Sequence, residues 1–236
     1  MDLTRFERAY FDLTDLFTEE GFNRTPNEYE KDVFVKVVDY YFEVKIITSR
    51  LEQGIIEMDS ATKSFFAHLK EKDKVNESQE EKLVMAIAKI RLDLLDFYIH
   101  TRIFLDTLTE CTRLSFKRAG NRNWHLMSKS VRCLLNEDKL QNYGSDIDAK
   151  FFESLRGKIS WIRSLKDYRD GLLHRFFHFV FTQTLEGDLG YDIMDGVKTS
   201  WGTETVKSIL QYIQSIIDNL SDLLEYLSKN LPKNQK

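Results

Sequence analysis

The chain has 236 residues, of which 42% are hydrophobic and 31% charged, and its formal net charge is −4 at pH 7. This composition is typical of a folded globular protein, and the slight acidity excludes a basic surface that binds nucleic acid everywhere, so any such contact must be local. No run of 18 apolar residues is present, and the N-terminus lacks the apolar core of a secretory signal. Together with two isolated cysteines, these features predict a cytoplasmic protein that does not span a membrane.

Helical spacing of apolar residues dominates the first two thirds of the chain. Only two prolines are present, both near the ends, which permits long helices. The pair Asp59-Ser60 resembles a helix start, the polar segment 71–81 predicts an exposed connection, and Ala119-Gly120-Asn121 predicts a helix end. The predicted helices cover approximately these ranges: 4–20, 27–56, 80–117, 123–135 and 146–166.

The last third of the chain has a different pattern. Two runs rich in strand-forming residues, 177–185 and 189–194, flank a Glu-Gly-Asp turn and predict a small β-hairpin, with a loop as the alternative. In the last helix, apolar residues recur at alternating steps of four and three. This stripe faces either the core of a bundle or the seam of a dimer. Its members are Val206, Leu210, Ile213, Ile217, Leu220, Leu224 and Leu227.

These elements predict an all-α fold, an antiparallel helical bundle with a small β-hairpin inserted before the last helix. No internal repeat and no linker divides the chain. We therefore expect one helical domain over residues 1–236, with an N-terminal helical extension over about residues 1–25.

One short sequence, Tyr168-Arg169-Asp170-Gly171-Leu172-Leu173-His174, carries the residue types that chemistry needs. Arginine can hold a phosphate and histidine titrates near neutral pH, so the pair suits RNA cleavage without a metal. In a continuous helix, Arg169 and His174 would point about 140° apart. Asp170 is a good N-cap and Gly171 is flexible, so we expect a helix junction that directs both side chains into one partly exposed groove.

An arginine followed by a polar residue, with a histidine after four intervening residues, resembles the motif of the HEPN family, all-α bundles that are often metal-independent endoribonucleases. The resemblance implies that His174 is the general base that takes a proton from a ribose 2′-hydroxyl. It implies that Arg169 stabilises the phosphoryl oxygens and that Asp170 orients one or both side chains. The products would be a 2′,3′-cyclic phosphate and a 5′-hydroxyl.

The family resemblance also implies partners and a biological role. Two copies usually pair so that both motifs face one cleft, which predicts a homodimer that binds RNA. A toxin or phage-defence role with a protein regulator or antitoxin follows from the same resemblance. In one toxin subfamily a modified tyrosine stands two residues after the histidine, where this chain has Phe176. That form of neutralisation is therefore not expected.

A second segment suggests RNA contact. Residues 111–135 contain no acidic residue, and Phe116 and Trp124 lie among the cations, a pattern that suits single-stranded RNA. The alternative is a solvated helix face with core aromatics. Arg118 and His125 also match a looser form of the motif, which we discount because Ala119 follows the arginine. The cations of this segment are Arg113, Lys117, Arg118, Arg122, Lys129 and Arg132.

Other kinds of site find little support in the sequence. The remaining histidines (His68, His100, His125 and His178) show no metal-ligand spacing, so neither a metal site nor a cofactor is expected. The alternative function is a non-catalytic HEPN-like module that binds a nucleotide, RNA or a protein partner through the same cleft. A plain structural bundle, in which Arg169 pairs with an acid and His174 packs, is the third possibility.

Overall fold

A computed structural model describes residues 1–17, 26–72, 77–120, 149–163, 165, 177–183, 189–195, 205–206 and 208–232. Within these ranges the chain forms five α-helices and one small sheet, which confirms the predicted all-α fold. None of the described helices is long and apolar enough to cross a membrane. The helices are α1 (Thr4–Thr14), α2 (Glu28–Lys72), α3 (Glu77–Arg118), α4 (Ala149–Ile159) and α5 (Ile209–Asn230).

The helix α2 is longer than predicted, because no new helix starts at Asp59-Ser60. The Asp59 Oδ2 atom instead forms an ion pair with Lys63 Nζ at a distance of 2.6 Å, one turn further along the same helix. No glycine or proline follows within α2 to interrupt its hydrogen bonds. The helix continues to Lys72 and α3 begins at Glu77, so both helices also extend into the predicted connection.

Both long helices have local signals at one end. Asn27 caps α2: its Oδ1 accepts from the Glu30 backbone N–H at 2.9 Å, and Glu30 Oε2 accepts from the Asn27 N–H at 3.1 Å. This reciprocal pair satisfies two N–H groups that have no partner within the helix. The C-terminal end of α3 is followed by Gly120, whose φ of +81° is a left-handed conformation that favours glycine. The Gly120 N–H donates to the Lys117 carbonyl. The predicted end at this glycine is confirmed.

The other helices start or end differently from the predictions. α1 begins at Thr4 as predicted, but the α-helix ends at Thr14 and a 3-10 turn over Asp15–Phe17 follows. Of the helix predicted over 146–166, the structure describes residues 149–163 and 165, and α4 covers Ala149–Ile159. The predicted helix over 123–135 lies outside the described residues.

The predicted β-hairpin is confirmed. Strand β1 (Phe177–Gln183) pairs antiparallel with β2 (Leu189–Asp195), and a short β3 (Thr205–Val206) adds to the other edge of β2. Val206 therefore lies in a strand and not in the last helix, where the sequence placed it. The helix α5 begins later because Ser208 caps it, its Oγ accepting from the Gln211 N–H at 3.4 Å.

The contacts group the described residues into two compact units. Unit 1 comprises Met1 with Val44–Ile99 and Asp167–Ile213, and unit 2 comprises Asp2–Glu43, His100–Lys166 and Gln214–Lys236. The single domain over 1–236 stays a prediction.

In unit 1, the second part of α2 packs against the first part of α3. The contacting residues show that the helices are antiparallel, because partners later in α2 lie earlier in α3. Gly54 is buried where the helices approach closely, since an added Cβ would lie 3.3 Å from Ile90 Cγ1. The paired polar residues are Arg50 with Asp93, Glu57 with Lys89, and Ser64 with Gln79.

An aromatic cluster forms the core of unit 2. Tyr10 stacks on Tyr41 with ring centroids 3.7 Å apart, and Phe6 contacts both Tyr41 and Phe104. Phe6 and Phe104 are fully buried, and burial raises the pKa of Tyr10 to about 12. The N-terminal helix, predicted as an extension, is thus part of this core.

The apolar stripe of α5 is buried within the chain. Ile213, Ile217, Leu220, Leu224 and Leu227 each have at most 2% of their surface exposed. The core-facing interpretation of this stripe is therefore confirmed, and the alternative of a dimer seam along α5 is wrong.

Candidate functional site

The predicted catalytic residues Arg169, Asp170 and His174 lie outside the residues that the structure describes. The described residues on either side are Leu165 and Phe177. The predicted helix junction and groove therefore stay predictions.

The basic segment is partly described, and Arg113 does not belong to an exposed surface. Only 4% of Arg113 is exposed, and its Nε donates to Glu110 Oε2 at 2.7 Å. Glu110 is also buried and accepts a further hydrogen bond from the Tyr29 hydroxyl. The prediction depended on the absence of acidic residues over 111–135. Glu110 lies one position before that range and pairs with Arg113, the first cation of the segment. The predicted contact of Arg113 with RNA is therefore corrected.

Glu110 and Arg113 form a buried ion pair of unit 2, and the Tyr29 side chain, which is 44% exposed, donates its hydroxyl to Glu110. The hydrogen bonds from Arg113 to Glu110 raise the pKa of the guanidinium, which keeps it charged. Burial, with the hydrogen bond to Glu110, raises the pKa of the Tyr29 phenol, which keeps it protonated as a donor. A charge pair that is desolvated and internally satisfied has a structural role, because neither partner is available to a ligand.

The other described residues of the segment also have partners in the chain. Phe116 is 7% exposed and contacts the Phe151 ring edge-on at 5.2 Å, so it is a core residue and not a stacking platform for bases. Arg118 lies over the Phe17 ring at 5.7 Å and is half-buried, as is Lys117. The predicted residues outside the described ranges are Arg122, Trp124, His125, Lys129 and Arg132.

An apolar groove of about 980 Å³ lies on the outer surface of unit 1, between α2 and α3. Large apolar side chains line it while remaining largely exposed: Ile56 is 57%, Met85 64% and Leu92 62% exposed. Small side chains form its remaining wall and floor, which leaves room above the two helices. These small lining residues are Ser60, Ala61, Ser64, Ala86 and Ala88.

The groove carries charges of both signs. Glu57 and Lys89 lie on facing helices and pair at 2.7 Å across it, and this hydrogen bond lowers the pKa of the Glu57 carboxyl. Glu81 and Lys82 line the same groove about two turns earlier in α3. The apolar surface is therefore bordered by two acids and two bases, with no net charge.

The sequence reasoning missed this groove, although a signal was present. The predicted apolar stripe of α3 includes Leu83 and Ile87, which are half-buried, and Ile90, which is buried next to Gly54 of α2. Met85 and Leu92 are also apolar but do not fall on that stripe. Their spacing of seven residues places them on one face of the helix, about two turns apart. A second apolar face on a helix that already has one indicates an exposed hydrophobic surface.

Among the described residues, no three histidine, cysteine or acidic side chains lie close enough together to hold a metal ion. The described cysteine, Cys111, is buried, and burial raises the pKa of its thiol, so it is not a reactive nucleophile. No family model, no curated protein and no solved structure matches the chain. The HEPN resemblance therefore depends on the Arg169, Asp170 and His174 motif and on the helical fold, without support from a related protein.

Proposed function

We propose that the protein is a metal-independent endoribonuclease of HEPN type that acts in the cytoplasm, in a toxin or phage-defence role. The observation that carries the proposal is the sequence Arg169-Asp170, with His174 four residues further on. The all-α fold of the described residues supports it, because the family consists of helical bundles.

Each residue of the motif has a distinct role in this proposal. His174 accepts the proton of a ribose 2′-hydroxyl, whose oxygen then attacks the neighbouring phosphorus. Arg169 donates to the phosphoryl oxygens and stabilises the charge that develops on them. Asp170 orients one or both side chains. The bond to the 5′-oxygen breaks, and that oxygen takes a proton from the second histidine, which the facing motif of a second copy supplies as a general acid; the products are a 2′,3′-cyclic phosphate and a 5′-hydroxyl.

The purified protein is expected to cut single-stranded RNA in the presence of a metal chelator. His174→Ala abolishes cutting through loss of the base, and Arg169→Ala lowers the rate by at least about 100-fold through loss of charge stabilisation. His125→Ala is the matched control, because it removes the histidine of the looser motif. Gel analysis of end-labelled RNA, with detection of the cyclic phosphate, measures all three variants.

The outcomes of this experiment separate the alternatives. Cutting that persists in His174→Ala, or that disappears with chelator alone, contradicts the proposal. An equal loss in His125→Ala moves the site to the basic segment. RNA or nucleotide binding without any cutting leaves the non-catalytic HEPN-like module as the function.

A further inference from the structure

The buried side chains of unit 1 end at one level of the hairpin that α2 and α3 form. The last described buried residue of α2 is Met58, and the first buried residue of α3 is Ile90. Beyond that level, none of the described side chains over 59–70 and 77–89 is buried. On the other side of it, α2 and α3 contain several fully buried side chains, which include Val44, Leu51, Leu94, Phe97 and Tyr98.

This boundary divides the helical hairpin into two parts. We refer to residues 44–58 and 90–98 as the core of the hairpin, and to residues 59–72 and 77–89 as its arm. Because α2 continues without interruption to Lys72, it extends about 20 Å past Met58. The arm is therefore as regular in its backbone as the core, although it lacks buried side chains.

The contacts within the arm are partial. Even its less exposed apolar residues, such as Phe65, Leu83 and Ile87, are only half-buried. The hydrogen bond that joins its two helices, from Gln79 Nε2 to Ser64 Oγ at 3.3 Å, is exposed. Helices in proteins are stabilised mainly by burial of an apolar face, so the arm has little to stabilise it.

We propose that the arm unfolds locally, both of its helices together, while the core of the hairpin stays folded. Opening the arm exposes only surface that is already half-exposed, so its free-energy cost is far below that of global unfolding. The two helices open together because each loses its main packing partner when the other unfolds. The break lies next to Met58 and Ile90, where burial begins.

Local unfolding of this kind makes the arm a conformational device. Segments of low local stability are those that binding and regulation use, because their order can change without loss of the fold. A ligand that binds only the folded arm would stabilise it by mass action and leave the core unaffected. This inference does not depend on the proposed nuclease activity.

Hydrogen exchange measured by mass spectrometry on the whole protein is the first test. Backbone amides over 59–72 and 77–89 are expected to exchange at least about 100-fold faster than those over 90–98, after correction for intrinsic rates. Both segments of the arm should show the same protection. Equal protection of arm and core overturns the proposal. A steady decline of protection from residue 58 towards Lys72 also overturns it, because that pattern indicates fraying of a helix end.

A variant in the core separates local from global opening. Leu94 is fully buried, and Leu94→Ala is expected to speed exchange over 90–98 by at least about 30-fold. Exchange over 59–72 and 77–89 should change by less than about twofold, because the truncated site stays packed when only the arm opens. An equal acceleration in arm and core shows that the arm opens only by global unfolding, which contradicts the proposal.

A milder variant gives the same comparison if Leu94→Ala does not fold. Ile90→Val removes one methyl group from a fully buried side chain, and we expect exchange over 90–98 to speed up by about 2- to 10-fold, again without an effect on the arm.

The matched variant lies in the arm itself. Ala67 is exposed on α2, and Ala67→Gly is expected to speed exchange about fivefold through its lower helix propensity. The acceleration should appear over 77–89 as well as over 59–72, since the two helices open together. An effect confined to 59–72 contradicts the joint opening of the arm.

Discussion

Asp93 is a carboxylate in the middle of α3 with only 2% of its surface exposed. Its Oδ1 pairs with Arg50 of α2, while its Oδ2 is buried without a hydrogen-bond partner among the described residues. Burying a charge is unfavourable unless a counter-charge compensates for it. Arg50 therefore compensates for the burial of the Asp93 carboxylate inside unit 1. The Asp96 carboxylate also lies 3.4 Å from the same guanidinium.

We predict that Arg50→Ala lowers the free energy of unfolding by about 2–3 kcal/mol. Removing one partner of a buried ion pair typically costs about 3–5 kcal/mol, and the half-exposed position of Arg50 reduces that figure through solvent screening. Urea denaturation followed by circular dichroism measures the change.

Lys89→Ala is the control for this prediction. Lys89 pairs with Glu57 across the same two helices, but both side chains are more than 40% exposed. Exposed pairs contribute little, so the expected loss is below about 1 kcal/mol. Equal losses in the two variants would show that burial of Asp93 is not what makes Arg50 important.

At the scale of single elements, the interior glycine of α2 shows how a neighbouring helix overrides local preference. Glycine in a helix costs roughly 1 kcal/mol relative to alanine. Gly54 nevertheless lies inside the 45-residue α2, because Ile90 of α3 leaves no relaxed space for a side chain there. The weak helix former is accepted where it lets two helices approach closely.

We predict that Gly54→Leu destabilises unit 1 by about 1–3 kcal/mol, because the added atoms overpack the contact with Ile90. Gly54→Ala is expected to lie within about 1 kcal/mol of wild type, since a gain in helix propensity offsets the tighter contact. Thermal denaturation measures both variants.

Gly157 is the matched control for Gly54. It lies in α4, and an added Cβ would meet no atom within 4 Å. Gly157→Ala is therefore expected to stabilise the protein by about 0.5–1 kcal/mol. If Gly54→Leu caused no loss of stability, this would contradict the close packing of α2 against α3 at Gly54.

At the scale of the whole molecule, two apolar surfaces that look similar in sequence differ in how far they are buried. The stripe of α5 is buried within the chain, whereas Met85 and Leu92 of α3 remain exposed. Truncation of a buried α5 residue is therefore expected to destabilise the protein more than truncation of Met85 or Leu92.

We predict that Leu224→Ala lowers the free energy of unfolding by about 2–5 kcal/mol, because Leu224 is fully buried and its truncation leaves a cavity. The oligomeric state of the folded protein is expected to stay unchanged. Denaturation and light scattering on the same sample test both statements. An unchanged free energy of unfolding in Leu224→Ala would contradict the burial of this side chain in the core.

Much of the helical architecture was predictable from the sequence, because it depends on local chemistry. Apolar periodicity located α1, α2, α3 and α5. Gly120 ended α3 as predicted because only a residue without a side chain readily adopts a positive φ there. The β-hairpin was predictable from its strand-forming runs on either side of a turn.

Tertiary structure decided what depends on neighbours distant in sequence. Asp59-Ser60 resembles a helix start, yet it lies inside α2, since packing against α3 extends the helix beyond any local signal. Arg113 looked like a surface cation, but it is only 4% exposed and pairs with Glu110. An apolar stripe does not reveal what covers it, so only the folded chain shows that α5 is core while Met85 and Leu92 are exposed. The chemistry proposed for Arg169 and His174 is inferred from the sequence alone. The groove of unit 1, in contrast, forms only where α2 and α3 pack together, so no local sequence pattern predicts it.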